Sequence, residues 1–81
     1  MNTRKMNIME NREVKGICRD AEIFARRGVA WSAWLASWEP VIRDLPHLRR
    51  LEQVGHHYQW RRDLLTIVTA ASSAWSRGAK Q

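Results

Sequence analysis

The stretch Trp31-Ser32-Ala33-Trp34-Leu35-Ala36-Ser37-Trp38 places three indoles at i, i+3 and i+7. On an α-helix that spacing lines them along one stripe. Leu35, Val41, Ile42 and Leu45 keep the same phase. The helix therefore starts near Ala30 and either kinks at Pro40 or restarts with Pro40 in its first turn. The chain has five tryptophans in 81 residues. Each indole can bury roughly 150–250 Å², more in total than a small core needs. Trp31, Trp34 and Trp38 are expected to fill the core. Trp60 or Trp75 is expected to overhang it. Opposite the indoles stand Ser32, Ala33, Ala36 and Ser37, small enough to predict a second helix packed closely on that side.

Upstream, Val14, Ile17, Cys18, Ala21, Phe24 and Ala25 recur at helical spacing, so a helix is predicted over about 10–27, with Gly28 as its terminator. Residues 1–9 are polar and aperiodic and are read as a short flexible N-terminal arm. Downstream, Asp44 and Pro46 open a segment with Leu48, Leu51, Val54 and Tyr58 on its apolar side, weakened at Gly55. A last stripe of Trp60, Leu64, Ile67, Val68, Ala71 and Trp75 runs to Gly78, where the helix is expected to stop. The last two segments are either separate or one long helix bent at Gly55. No alternating run predicts a strand. The expected architecture is all-α: a compact three- to four-helix bundle, with one domain over 10–78 and a tail over 79–81.

Fourteen Lys and Arg against eight Asp and Glu leave a net charge of +6. That balance favours anionic partners such as nucleic acid or an acidic protein surface. Eleven of the cations are Arg, the better group for bidentate carboxylate or phosphate contacts and for stacking on indole. A single cysteine, Cys18, excludes an internal disulfide, and a reducing cytoplasm is the expected location. The N-terminus lacks the apolar core of a signal peptide, and the longest apolar run, 64–71, is far short of the roughly 20 residues that span a bilayer. A soluble protein with no membrane partner is expected.

Motifs that carry chemistry are sparse. His47, His56 and His57 lack the i, i+4 spacing of helical metal ligands, because adjacent residues point about 100° apart, so neither metal nor cofactor is expected. The glycines are isolated and form no phosphate-cradling loop. Cys18 lies on an apolar stripe and reads as a small core residue rather than a nucleophile. Glu39 and Asp44 read as solvated carboxylates. With too little chain to build a deep cleft, the protein is not expected to be an enzyme.

Binding signals are stronger. Arg12, Lys15, Arg19 and Arg26 fall within an arc of about 60° on the first helix, opposite its apolar stripe. This is the footprint of a phosphate-tracking face, although Glu22 would brace part of it by ion pairs. Arg49, Arg50, Arg61 and Arg62 surround His56, His57, Tyr58 and Trp60, a basic and aromatic mixture suited to an acidic surface or a nucleic-acid base. The segment 24–29 resembles a helix-turn-helix turn, but Phe24 and Arg27 occupy positions that favour a small and an apolar residue, and the following helix lacks Arg, Asn or Gln to read base edges.

The expected function is that of a small, basic, non-enzymatic accessory or inhibitory protein of phage or plasmid type. It would dock a Trp- and Arg-rich surface, Trp60 and Trp75 with Arg61, Arg62, Arg49 and Arg50, onto a larger protein or nucleoprotein complex. The alternative is a small DNA- or RNA-binding regulator using Arg12, Lys15, Arg19 and Arg26 with Arg49 and Arg50. A homo-oligomer that buries the spare indoles fits either reading.

Overall fold

The computed structural model describes residues 8–80. Asn11 begins the first helix: its side-chain oxygen accepts the backbone N–H groups of Glu13 (2.8 Å) and Val14 (3.2 Å). That cap satisfies two of the N–H groups a helix start leaves open. α1 then runs Arg12–Arg26. Gly28, at φ 85°, ends it: the N–H of Gly28 donates to the Ala25 carbonyl and that of Val29 to Phe24. This crossed pair is the usual way a left-handed glycine closes a helix.

α2 spans Trp31–Arg43 as one continuous helix through Pro40. Asp44 is its C-terminal cap, so the residue that precedes α3 (Pro46–Gln53) is the buried Leu45, with Pro46 in the first turn. Gly55, at φ 78°, closes α3 with the same paired bonds, His56 N–H to Leu51 and Gly55 N–H to Glu52. The last two segments are thus separate helices, and α4 covers His57–Ala79.

The contacts at the helix ends define the arrangement. Trp75 of α4 meets Trp31 at the start of α2, and Trp60 of α4 meets Arg43 at its end, so α2 runs antiparallel to α4. The last turn of α4 lies against Glu22 and Ala25 near the end of α1, which pairs the C-terminal ends of these two helices. Val14, Ile17, Ala21, Trp34, Ile42, Leu45, Leu48, Ile67 and Ala71 form the core. The fold is all-α, and among the described residues there is no strand.

Trp34 is fully buried at the centre of an aromatic row. Trp31 and Trp38 stack on either side of it, at centroid distances of 5.4 and 5.8 Å, and the edge of Trp75 meets Trp31 at 6.4 Å. The Trp34 indole N–H donates to Asp20 Oδ2 (3.0 Å), so its one polar atom is satisfied.

Several expectations change. Ser32, Ala33, Ala36 and Ser37 are exposed, and among the described residues no second helix packs on that side of α2. The close packing of small residues occurs instead between α1 and α4, where Ala21, Ala25, Ala71, Ala74 and Gly78 are all buried. Gly78 does not stop α4, which continues one residue further, to Ala79. Of the expected arm, 1–7 lies outside the described residues. Ile8 and Met9 form a 3-10 turn with Glu10 and pack against the core. Of the expected tail, Ala79 is helical, Lys80 caps α4, and residue 81 lies outside the described residues.

Candidate docking surface

α4 carries the surface residues that distinguish this molecule. Its core side is set by Ile67, Ala71, Ala74 and Gly78, together with Asp63 one turn before Ile67. Tyr58 and Leu65, seven residues apart, therefore project from the opposite side and are exposed by 78% and 66%. Arg61 and Arg62 flank the line between them and are exposed, and among the described residues neither has a carboxylate within ion-pair distance. From Leu64 to Ser76 the helix has no charged residue, so Thr69, Ser73 and Ser76 continue this exposed side as a neutral strip. Val54, 60% exposed at the end of α3, adds a further apolar side chain near its start.

The two tryptophans expected to anchor a partner are partly accessible but internally engaged. Trp75 donates its indole N–H to the Val29 carbonyl (2.9 Å) and so ties α4 to the turn after α1. The ring of Trp60 lies under the Arg43 guanidinium, 5.3 Å from it, and its indole N–H is buried with no acceptor among the described residues. Fifteen residues of helix separate them by about 22 Å, which places them at the two ends of one side of α4. Arg61 and Arg62 lie about 100° and 200° around the helix from Trp60. Tyr58 and Leu65, rather than Trp60 and Trp75, share their side of α4. The sequence held a signal for this: Tyr58 and Leu65 stand off the apolar stripe of the last helix while being large and apolar themselves.

Arg49 and Arg50 are exposed on α3, Arg49 at 3.7 Å from Asp44. On α1, Arg12, Lys15, Arg19 and Arg26 are all exposed, and Arg26 pairs with Glu22 at 2.9 Å. Glu39 pairs with Arg43 (3.0 Å) and so, like Asp44, is a surface ion-pair partner.

Two further features were not anticipated. Asp63 is buried, 7% exposed, and holds His47 Nε2 at 2.6 Å and the Gln59 side-chain amide at 2.9 Å. The three residues fasten the start of α3 to α4. An acidic residue in phase with Trp60 and Ile67 was the clue. A groove of about 660 Å³ opens between the helices, lined by Glu13, Pro40, Arg43, Asp44, Glu52 and Trp60 among others.

Burial pushes the Cys18 thiol above its usual range, outweighing the pull of the nearby Arg77 guanidinium in the other direction. A thiol held protonated is a poor nucleophile. Among the described residues no three His, Cys, Asp or Glu side chains gather as metal ligands, and no helix is long and apolar enough to cross a membrane. The chain matches no protein-family model, no curated protein and no solved structure.

Proposed function

We propose that this protein is a non-enzymatic accessory module that docks the outer side of α4 onto a larger protein. The observation that carries this reading is the exposed pair Tyr58 and Leu65, bracketing Arg61 and Arg62 on one helical side. Single exposed apolar residues are ordinary on protein surfaces. A tyrosine and a leucine two turns apart, with unpaired guanidinium groups beside them, make an anchor of the kind that seats in an apolar slot rimmed by carboxylates. The indoles that would compete for this role are occupied within the chain. The partner is accordingly a protein with an acidic, groove-like surface, and the binding energy concentrates at the N-terminal half of α4.

The test is capture from nuclease-treated extract of the native host, comparing the wild-type chain with Leu65→Glu, with the double variant Arg61→Glu/Arg62→Glu, and with Ser37→Glu as a surface control on α2. Circular dichroism verifies that each variant folds. A protein retained by the wild type and the Ser37 variant but lost from both α4 variants supports the reading. Identical capture by all four, or no protein surviving nuclease, overturns it.

A further inference from the structure

α1 carries a second surface, independent of the α4 reading. Arg12, Lys15 and Arg19 are exposed and, among the described residues, have no carboxylate within ion-pair distance. Nearby acidic groups are spoken for or turned away. Asp20 accepts the Trp34 indole N–H, Glu22 holds Arg26, and Glu13 lines the groove beside Trp60. The positive charge on this side of α1 is thus free to act on something outside the chain.

Gly16 sits at the edge of this arc, one turn after Arg12 and one turn before Arg19, with Glu13 and Asp20 on its other side. It is exposed in mid-helix, and a Cβ built on it would meet nothing within 4 Å. Glycine is the poorest helix former after proline, and no contact among the described residues requires it here. Gly78 shows the opposite case, where the missing Cβ admits the chain's own Glu22 carbonyl. What an absent Cβ supplies at Gly16 is room for an external group to reach the helix backbone.

We infer that the α1 surface around Gly16 seats the sugar-phosphate backbone of a nucleic acid, with Arg12 and Arg19 on successive phosphates and Lys15 beside them. Along the helix axis these cations are spaced about 4.5 and 6 Å, close enough to follow one strand. The glycine discriminates between polyanions. A carboxylate on a partner protein reaches out on a flexible stem and needs no close approach, whereas phosphate charge lies in the strand's backbone, which must itself come near the helix. With Arg12, Lys15 and Arg19 all engaged on phosphates, no side chain of the arc is left to read base edges, so binding is independent of sequence.

Fluorescence anisotropy with labelled single-stranded and duplex oligonucleotides of mixed sequence, titrated with the full chain at several salt concentrations, tests this. Binding should weaken steeply with salt. Arg12→Gln/Arg19→Gln should weaken it at least about tenfold. Gly16→Ala is the sharper variant. It should raise the melting temperature, because it improves the helix, and still weaken binding at least about threefold. Absence of binding at low salt overturns the inference. So does unchanged affinity in Gly16→Ala, or equally effective competition by polyglutamate of the same charge.

Discussion

The backbone of Gly78 in the last turn of α4 lies against the carbonyl of Glu22 on α1, so closely that a Cβ at position 78 would overlap it. The neighbouring contact surface is also built from small side chains, Ala21 and Ala25 against Ala71 and Ala74, all buried. Two helices that approach this closely exchange many dispersion contacts but have no slack to absorb an added methyl group. Gly78→Ala should therefore destabilise the fold by about 1–3 kcal/mol despite the better helix propensity of alanine. Urea denaturation measures this. A variant as stable as the wild type would mean that the helices separate at no cost.

Three tryptophans should respond differently to replacement by phenylalanine, because their indole N–H groups differ. Trp34→Phe breaks the bond to Asp20 and Trp75→Phe the bond to the Val29 carbonyl, each expected to cost roughly 1–3 kcal/mol. Trp60→Phe removes a buried N–H with no acceptor among the described residues, so the change should lie near zero or be stabilising. Truncating the fully buried Trp34 to alanine should cost about 3–5 kcal/mol. Chemical denaturation of the four variants tests the ranking, and a Trp60→Phe loss as large as that of Trp75→Phe would contradict it.

Asp63 serves both His47 and Gln59 from a buried position. Asp63→Ala leaves both partners without their acceptor and should lower stability by about 1–3 kcal/mol. Its local effect is the more diagnostic. Amide hydrogen exchange should accelerate across α3, which this cluster fastens to α4, more than across α1. Uniform acceleration would show that the cluster is not a local fastening.

Cys18 should be slow to alkylate. Burial raises its pKa, so at a given pH the folded protein holds less thiolate than the unfolded chain. Iodoacetamide labelling of the native protein should lag that of the urea-unfolded chain near neutral pH, and the lag should narrow as pH rises through the elevated value. The linked sign for stability is a loss with rising pH: the unfolded thiol ionises first, and stability falls from that point until the folded thiol ionises as well. Equal labelling rates in the two states would exclude this.

Local physics made much of the fold legible. The end of α1 follows from Gly28, because a left-handed residue closes a helix with bonds made within one turn, whereas at Gly55 a bend and a stop were both open until the structure showed the stop. The indole stripe followed from spacing alone, since 3.6 residues per turn aligns Trp31, Trp34 and Trp38 wherever the helix lies. Tertiary structure decided which surfaces found partners. Ser32, Ala33, Ala36 and Ser37 are as suited to close helix packing as Ala21, Ala25, Ala71, Ala74 and Gly78, yet only the second set is buried. The apolar area of three indoles turned α2 by its opposite side toward the core, which left its small residues in solvent. Tertiary structure likewise put Trp60 under Arg43 and bound Trp75 to Val29, and left Tyr58 and Leu65 as the large apolar side chains of α4 that are exposed. Periodicity specifies which residues share a side of a helix, whereas what covers that side is settled by competition among all the faces of the folded chain.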